Sequence, residues 1–319
     1  MSRVVIIGGS GHVGTYLVPR LVETGHEVVN VTRGKRAPYQ ANAAWRSVET
    51  VVLDRAEAEK AGTFADAIRD LKPDIVVDMI CFLPESAEQL AGALSGQVRH
   101  LVHVGTIWVH GPSVVVPAPE TQTRRPFGDY GTRKAAIETF LMDAAQRGDL
   151  PVTIVHPGHI VGPGWNPLNP AGHFNPEVFT TLAQGRELAL ANFGMETVHH
   201  VHADDVAQMI MKALANWSAA VGEAFHTVSP GAISLRGYAE AVAGWFGKDA
   251  ALTFLPWEEW KAKQNPDEAR ATWEHISRSP NASIEKARRL LGYAPRYTSL
   301  EAVREAVDWL IAKGVVKTE

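Results

Sequence analysis

Over the first 157 residues, two hydrophobic textures alternate. Short apolar, β-branched runs occur at Val4–Ile7, Glu27–Thr32, Glu49–Leu53, Asp74–Met79, Arg99–Val104 and Val152–His156. Runs of this length and composition are the mark of strands buried on both faces of a parallel sheet. Between them lie segments with apolar residues at helical spacing: one opening at Gly14, one ending near Leu71, Pro84–Leu94, and a long one from about Asp129 to Arg147. The alternation predicts an α/β fold built on a doubly wound parallel sheet. Pro19 lies inside the first helical segment, where a missing N–H is expected to bend the axis.

From Gly158 the texture changes. Residues 158–176 are rich in Gly, Pro and Asn, a long loop of the kind that is usually functional. Helical patterns follow at Asp204–Ala215, Leu235–Phe246, Ile284–Leu291 and Leu300–Lys313, with short strands near Val198 and Phe225. The expectation is a dinucleotide-binding domain over 1–157 and a smaller, mostly helical substrate region over 158–319. The chain is expected to return to the first domain over 196–216.

Composition narrows the class. At 319 residues with 45% apolar and 21% charged positions, the chain is an ordinary globular protein with room for a large core. Its net charge of −4 lacks the basic excess of a nucleic-acid binder. No apolar run reaches transmembrane length, and the first stops at Gly8, too early for a signal peptide. One cysteine, Cys81, allows no internal disulfide and fits a reducing compartment, so a cytoplasmic location is expected.

The first helix start carries the clearest chemistry. Gly8, Gly11 and Gly14 follow the first strand at three-residue spacing. Gly8 suits a tight turn, Gly11 admits a pyrophosphate to the backbone N–H groups, and Gly14 lets the helix pack closely. Ser10, His12 and Val13 belong to the same loop. At the end of the second strand, Thr32 and Arg33 stand where an acidic residue would hold a ribose 2′-hydroxyl, with Lys35 and Arg36 behind. An arginine there suits a 2′-phosphate, so NADP is preferred over NAD; a solvated cluster of charges is the plainer alternative.

Of six tyrosines, only Tyr130 has a lysine four residues on, Lys134, which places both on one helix face. A neighbouring ammonium together with an oxidised nicotinamide is expected to favour the phenolate, lowering the phenol's pKa and letting Tyr130 exchange a proton with a substrate oxygen while hydride moves. Such a pair alone is a frequent accident. His199, His200 and His202 are close together, but they alternate faces on a strand and lack an acidic or cysteine ligand at a familiar spacing, so no metal is assigned.

Taken together, these motifs resemble the extended short-chain dehydrogenase/reductases, specifically the NAD-dependent epimerase/dehydratase family that includes UDP-galactose 4-epimerase, with its Rossmann fold. Gly8-x-x-Gly11-x-x-Gly14, His103-Val-Gly-Thr106, Tyr130-x-x-x-Lys134, His156-Pro-Gly-His-Ile-Val-Gly-Pro163 and Val201-His-Ala-Asp-Asp-Val-Ala207 occur in the family's order. The resemblance implies Thr106, Tyr130 and Lys134 as catalytic residues. It also implies Asp54, with Arg55 beside it, at the adenine, and Pro157, Gly158, His159 and Ile160 beside the nicotinamide. Trp108, His159 and His200 are candidate substrate contacts, and a homodimer through the Tyr130 helix and the helix before it is implied.

The reaction is less determined. Ile107-Trp108 stand where the dehydratases carry Asp-Glu, which argues against expulsion of water. Glu196 to His202 lacks the arginine that grips a nucleotide diphosphate in the epimerases; Arg270 or Arg278 are the candidate replacements. The leading expectation is an NAD(P)-dependent epimerase or oxidoreductase acting on a secondary alcohol of a sugar derivative. An NADPH-dependent ketone or aldehyde reductase of a non-nucleotide substrate is the alternative. A non-catalytic dinucleotide sensor, or an RNA-associated relative, is the second.

Overall fold

A computed structural model describes residues 1–319. The chain runs β1 (Arg3–Ile7), α1 (Gly14–Glu23), β2 (Glu27–Thr32), β3 (Glu49–Val52), α2 (Arg55–Lys60), α3 (Phe64–Asp70), β4 (Ile75–Asp78), α4 (Pro84–Leu94), β5 (His100–Val104), α5 (Gly128–Gln146) and β6 (Val152–Pro157). It continues through β7 (His159–Val161), α6 (Glu177–Ala183), β8 (Leu188–Ala191), β9 (Thr197–Val198), β10 (His200–His202), α7 (Ala203–Ala215), α8 (Trp217–Ala220) and β11 (Glu223–Thr227). The remainder is β12 (Ile233–Ser234), α9 (Leu235–Trp245), β13 (Leu252–Leu255), α10 (Trp257–Ala262), α11 (Pro266–Ile276), α12 (Glu285–Leu291) and α13 (Ser299–Ala312). No helix is long and apolar enough to cross a membrane.

Seven parallel strands form the central sheet in the order β11-β6-β5-β4-β1-β2-β3. The order reverses between β1 and β4, and in such sheets ligands bind at the carboxyl ends beside that switch. β1 shows why the strands are so uniformly apolar. Val4 and Ile6 enter a core with Leu17, Val18 and Leu21 of α1 and Met209 and Ile210 of α7. Val5 and Ile7 enter the opposite core with Ile68, Leu90, Ile137 and Leu141. With helices on both faces there is no solvent side to receive a polar residue.

The structure departs from the sequence pattern in several places. The helical stretch ending near Leu71 is two helices, broken at Gly62, whose φ of +70° disfavours any side chain. α1 runs through Pro19 without a break in its assignment. The later half is less helical than expected, since it holds three two-stranded pairs: β7 with β10, β9 with β12, and β8 with β13. Helices α6, α10 and α11 gave no clear periodic signal, because two of them are under two turns long and α11 presents Thr272 and His275 to the interior. The short strand near Phe225 belongs to the main sheet: β11 pairs with β6, and its partner α12 packs in the same core as α1.

Candidate active site

The glycine turn after β1 separates into three different physical demands. Gly8 has φ +93°, and a Cβ there would stand 2.9 Å from Ile80. A Cβ on Gly14 would fall 1.9 Å from the Gly9 carbonyl oxygen, so α1 can begin against the loop only with glycine. Gly11 is different: its Cβ would meet only the Gly8 carbonyl, at 3.2 Å. Folding alone does not require it to be bare, which is the signature of a position kept clear for a ligand. Ser10 is oriented by Asn30 of β2, whose buried amide donates to its hydroxyl at 2.9 Å. α1 starts here with no acidic residue in its first turn, leaving its positive end available to an anion.

A cleft of about 490 Å³ opens over this turn and runs across the strand ends. Gly8, Ser10, Gly11, His12, Val13, Gly14, Arg33, Arg55, Thr106, Tyr130, Lys134, Pro157, Gly158 and Ile160 line it, so the motifs named from sequence converge on one space. Thr32, Lys35 and Arg36 line it as well. The exposed cations Arg33, Lys35 and Arg36 therefore surround the end of β2 without any carboxylate paired to them. Tyr39 and Trp165 complete the rim: the His12 ring stacks on Trp165 with centroids 4.9 Å apart and leans on Tyr39 at 5.2 Å. Burial holds His12 neutral, with its pKa down to about 4. Trp165 comes from the 158–176 loop expected to be functional, whereas Tyr39, in an irregular segment, carries no sequence signal.

Asp54 does not line the cleft. Its carboxylate caps α2, accepting from the backbone N–H of Ala56 at 3.1 Å and, more distantly, of Glu57. Arg55 lies next to it in the cleft, paired through Nη1 with Asp78 at 2.7 Å and through Nε with Glu59. Its Nη2 is buried without a partner. A glycine cradle that a Cβ would fill, an unpartnered guanidinium nitrogen and a free helix start together fit a dinucleotide cofactor.

At the other end of the cleft, α5 places Tyr130, Lys134 and Glu138 along one face. Lys134 is buried, and its ammonium donates to the Val104 carbonyl at 2.9 Å; burial lowers its pKa to about 8. Thr106 follows β5 and caps the short turn Ile107–His110, accepting from the Trp108 N–H at 3.2 Å. In the chain alone, with no nicotinamide charge acting on it, desolvation raises the Tyr130 phenol above the ordinary tyrosine value, with the Thr106 hydroxyl pulling the other way. Lys134 lies 6.0 Å from the Tyr130 ring centroid and is tied to β5, so desolvation outweighs it. Tyr130 is thus a proton donor in the chain alone.

The expected substrate contacts are arranged differently. His200 is fully buried and faces away from the cleft; its Nε2 bonds the Leu168 carbonyl at 3.1 Å, which Tyr238 also holds. His199 is tied to Ser229 and Ala282, and His202 caps α7 and bonds Glu305. Trp108 and His159 are not part of the cleft wall; Trp108 adjoins Tyr130, and His159 lies behind Trp108. The Trp108 ring meets Tyr130 edge-on at 5.6 Å and His275 at 5.1 Å, and His159 lies 4.6 Å from His275. Burial keeps both imidazoles neutral, and His159 Nε2 has no partner. Neither proposed diphosphate anchor is free. Arg278 is sandwiched between Trp108 and Phe127 and bonded to the Phe127 carbonyl, while Arg270 is exposed and paired with Asp267.

Sheet order, glycine turn and the Thr–Tyr–Lys arrangement define a Rossmann-type enzyme that uses a nicotinamide dinucleotide. The profile of the NAD dependent epimerase/dehydratase family matches residues 4–226, and the chain belongs to that family, as an enzyme of the extended short-chain dehydrogenase/reductase type. It is 28% identical to the 2'-dehydrokanamycin reductase of Streptomyces kanamyceticus, over 83% of this chain and 72% of that one. Similarity to the chloroplast stem-loop binding protein of 41 kDa b of Arabidopsis thaliana is 24% over the whole chain and 82% of the relative. Among solved structures, the UDP-glucose 4-epimerase of Thermotoga maritima superposes with a TM-score of 0.74 at 19% identity, covering 98% of this chain and 99% of that one.

Proposed function

We propose that this chain is an NADP(H)-preferring oxidoreductase that moves hydride between the cofactor and a secondary alcohol or ketone of a sugar derivative not linked to a nucleotide. The observation that carries this reading is the group of unpaired cations Arg33, Lys35 and Arg36 at one end of the cleft, while Arg278, one of the two arginines expected for a substrate diphosphate, is enclosed between Trp108 and Phe127. A 2′-phosphate finds three cations there. The similarity to a reductase of an aminoglycoside ketone points the same way.

A bound nicotinamide dinucleotide would supply or accept the hydride. Gly8 to Gly14 and the start of α1 would hold its pyrophosphate, Lys134 its ribose, and Pro157 to Ile160 would border its nicotinamide. Tyr130, protonated in the free chain, gives its proton to the substrate carbonyl oxygen as charge develops there. Thr106 donates a second hydrogen bond to that oxygen. His159, neutral and with an unpartnered Nε2, offers a lone pair to a substrate hydroxyl or ammonium group. Residues 158–319, apart from the segments that rejoin the sheet, form the substrate side, and α4 and α5 are the dimer surface.

Epimerisation of a nucleotide sugar is the second reading, favoured by the likeness in fold to the Thermotoga epimerase. A sensor or RNA-associated role is third, and the intact Tyr130–Lys134 pair weighs against it. Titration with NADP(H) and NAD(H), followed by reduction assays on keto-sugars with and without a nucleotide, tests the proposal. Equal affinity for the two cofactors together with turnover of UDP-sugars would replace it with the second reading.

A further inference from the structure

Outside the cofactor cleft, the densest group of buried ionisable side chains is His110, His156 and His226. His110 ends the turn that Thr106 caps, His156 lies on β6, and His226 is its register partner on β11. All three are buried, and one ring nitrogen of each lies within 4.8 Å of the other two. Gly105 approaches so closely that a Cβ there would stand 2.9 Å from the His156 ring.

Two of the imidazoles have an acceptor set behind them. His226 Nδ1 lies 3.0 Å from the Ser283 carbonyl, and His156 Nε2 lies 2.8 Å from a Glu138 carboxylate oxygen. His110 Nδ1 instead lies 3.1 Å from Arg124 Nη1, which also reaches the Glu120 and Gln122 carbonyls at 2.7 and 3.2 Å, three acceptors for its two hydrogens. His110 Nε2 and His226 Nε2 are 2.6 Å apart and share a hydrogen in the metal-free chain. An ion would take the place of that hydrogen, with the His110 proton moving to Nδ1 and Arg124 keeping its two carbonyls. His156 Nδ1 is buried and has no partner at all. Ligating histidines carry this same arrangement of carbonyl or carboxylate on the outer nitrogen. Glu120 and Glu138 against the single guanidinium of Arg124 leave one negative charge in excess around the cluster.

We propose that His110 Nε2, His226 Nε2 and His156 Nδ1 bind one divalent transition metal ion of the zinc class. Imidazole nitrogens suit zinc, copper and nickel. Nitrogens on a tetrahedral zinc at about 2.0–2.1 Å lie roughly 3.3 Å apart, so the two Nε2 atoms must separate by about 0.7 Å. The ion would tie the turn after Thr106 to β6 and β11. Through Glu138, it would also tie both to the helix bearing Tyr130 and Lys134. The three residues come from separate segments at no ligand spacing, and the sequence reading assigned no metal.

The test is metal content, which depends neither on the substrate nor on the coenzyme preference. Untagged protein grown with added zinc is desalted and measured by plasma mass spectrometry for zinc, copper and nickel. One ion per chain is expected, with a melting temperature that falls on chelation and recovers with zinc, and with visible bands of low-symmetry cobalt after exchange. His156→Gln and His226→Gln, checked for folding by circular dichroism, should lose the ion. Wild-type protein that neither contains nor takes up zinc or cobalt would overturn the proposal. It would leave a proton shared between His110 and His226, with Arg124 donating to His110 Nδ1. Full occupancy in both variants would place the ion elsewhere and overturn it equally.

Discussion

The two ends of the cleft differ in how their polar groups are used. At the cofactor end, Gly11 and the β2 cations face open space, and Arg55 keeps one nitrogen free. At the opposite end, Arg278 is sandwiched and His200 and Tyr238 share the Leu168 carbonyl, while His159 Nε2, His200 Nδ1 and Arg278 Nε are left unpartnered. The cofactor end is built for a ligand of known charge. The substrate end spends its charged groups on its own framework and leaves neutral acceptors, which suits a ligand rich in hydroxyl or amino donors.

The sharpest way to break this contrast is at the proton donor. Tyr130→Phe should lower turnover by about 10²–10⁴-fold with cofactor affinity retained, measured by single-turnover absorbance of the reduced nicotinamide. Retained turnover would remove Tyr130 from the chemistry. Next in size is the difference between two glycines. Gly14→Ala should destabilise by ~3–5 kcal/mol in denaturant melts, because its Cβ would collide with the Gly9 carbonyl at 1.9 Å. Gly11→Ala should stay folded and lose cofactor binding; equal stability losses in the two would show that both glycines serve only packing.

Arg33→Ala should narrow the preference for NADP over NAD by ~1–3 kcal/mol in paired titrations, and adding Lys35→Ala should narrow it further. No change in the ratio would return these residues to a solvated charge cluster. pH offers a reading of opposite signs at Lys134. Its folded pKa, about 8, lies below its ordinary 10.5, so the folded state loses the proton first. Between these values stability gains from rising pH, whereas cofactor affinity should fall as the ammonium is lost. Affinity flat through pH 8 would mean that the ammonium does not hold the ribose. The smallest effect belongs to Asp54→Ala, which should leave cofactor affinity within a factor of two and cost about 0.5–2 kcal/mol of stability through the lost cap of α2.

Much of the fold was legible because it depends on short-range pattern. Buried parallel strands must be apolar on both faces, so Val4–Ile7 and Asp74–Met79 announce themselves, and the doubly wound sheet follows. The glycine turn and the Tyr130–Lys134 spacing were legible for a similar reason: backbone clearance and i, i+4 geometry are properties of adjacent residues. Tertiary structure decided how the side chains are partnered. It turned Asp54 from the cleft to the cap of α2 and enclosed Arg278 between Trp108 and Phe127. It tied the Lys134 ammonium to the Val104 carbonyl, 6.0 Å from the Tyr130 ring centroid, which i, i+4 spacing does not record. It also gathered His110, His156 and His226 from three segments, because hydrogen bonding and desolvation depend on what lies across space, and no local pattern records that.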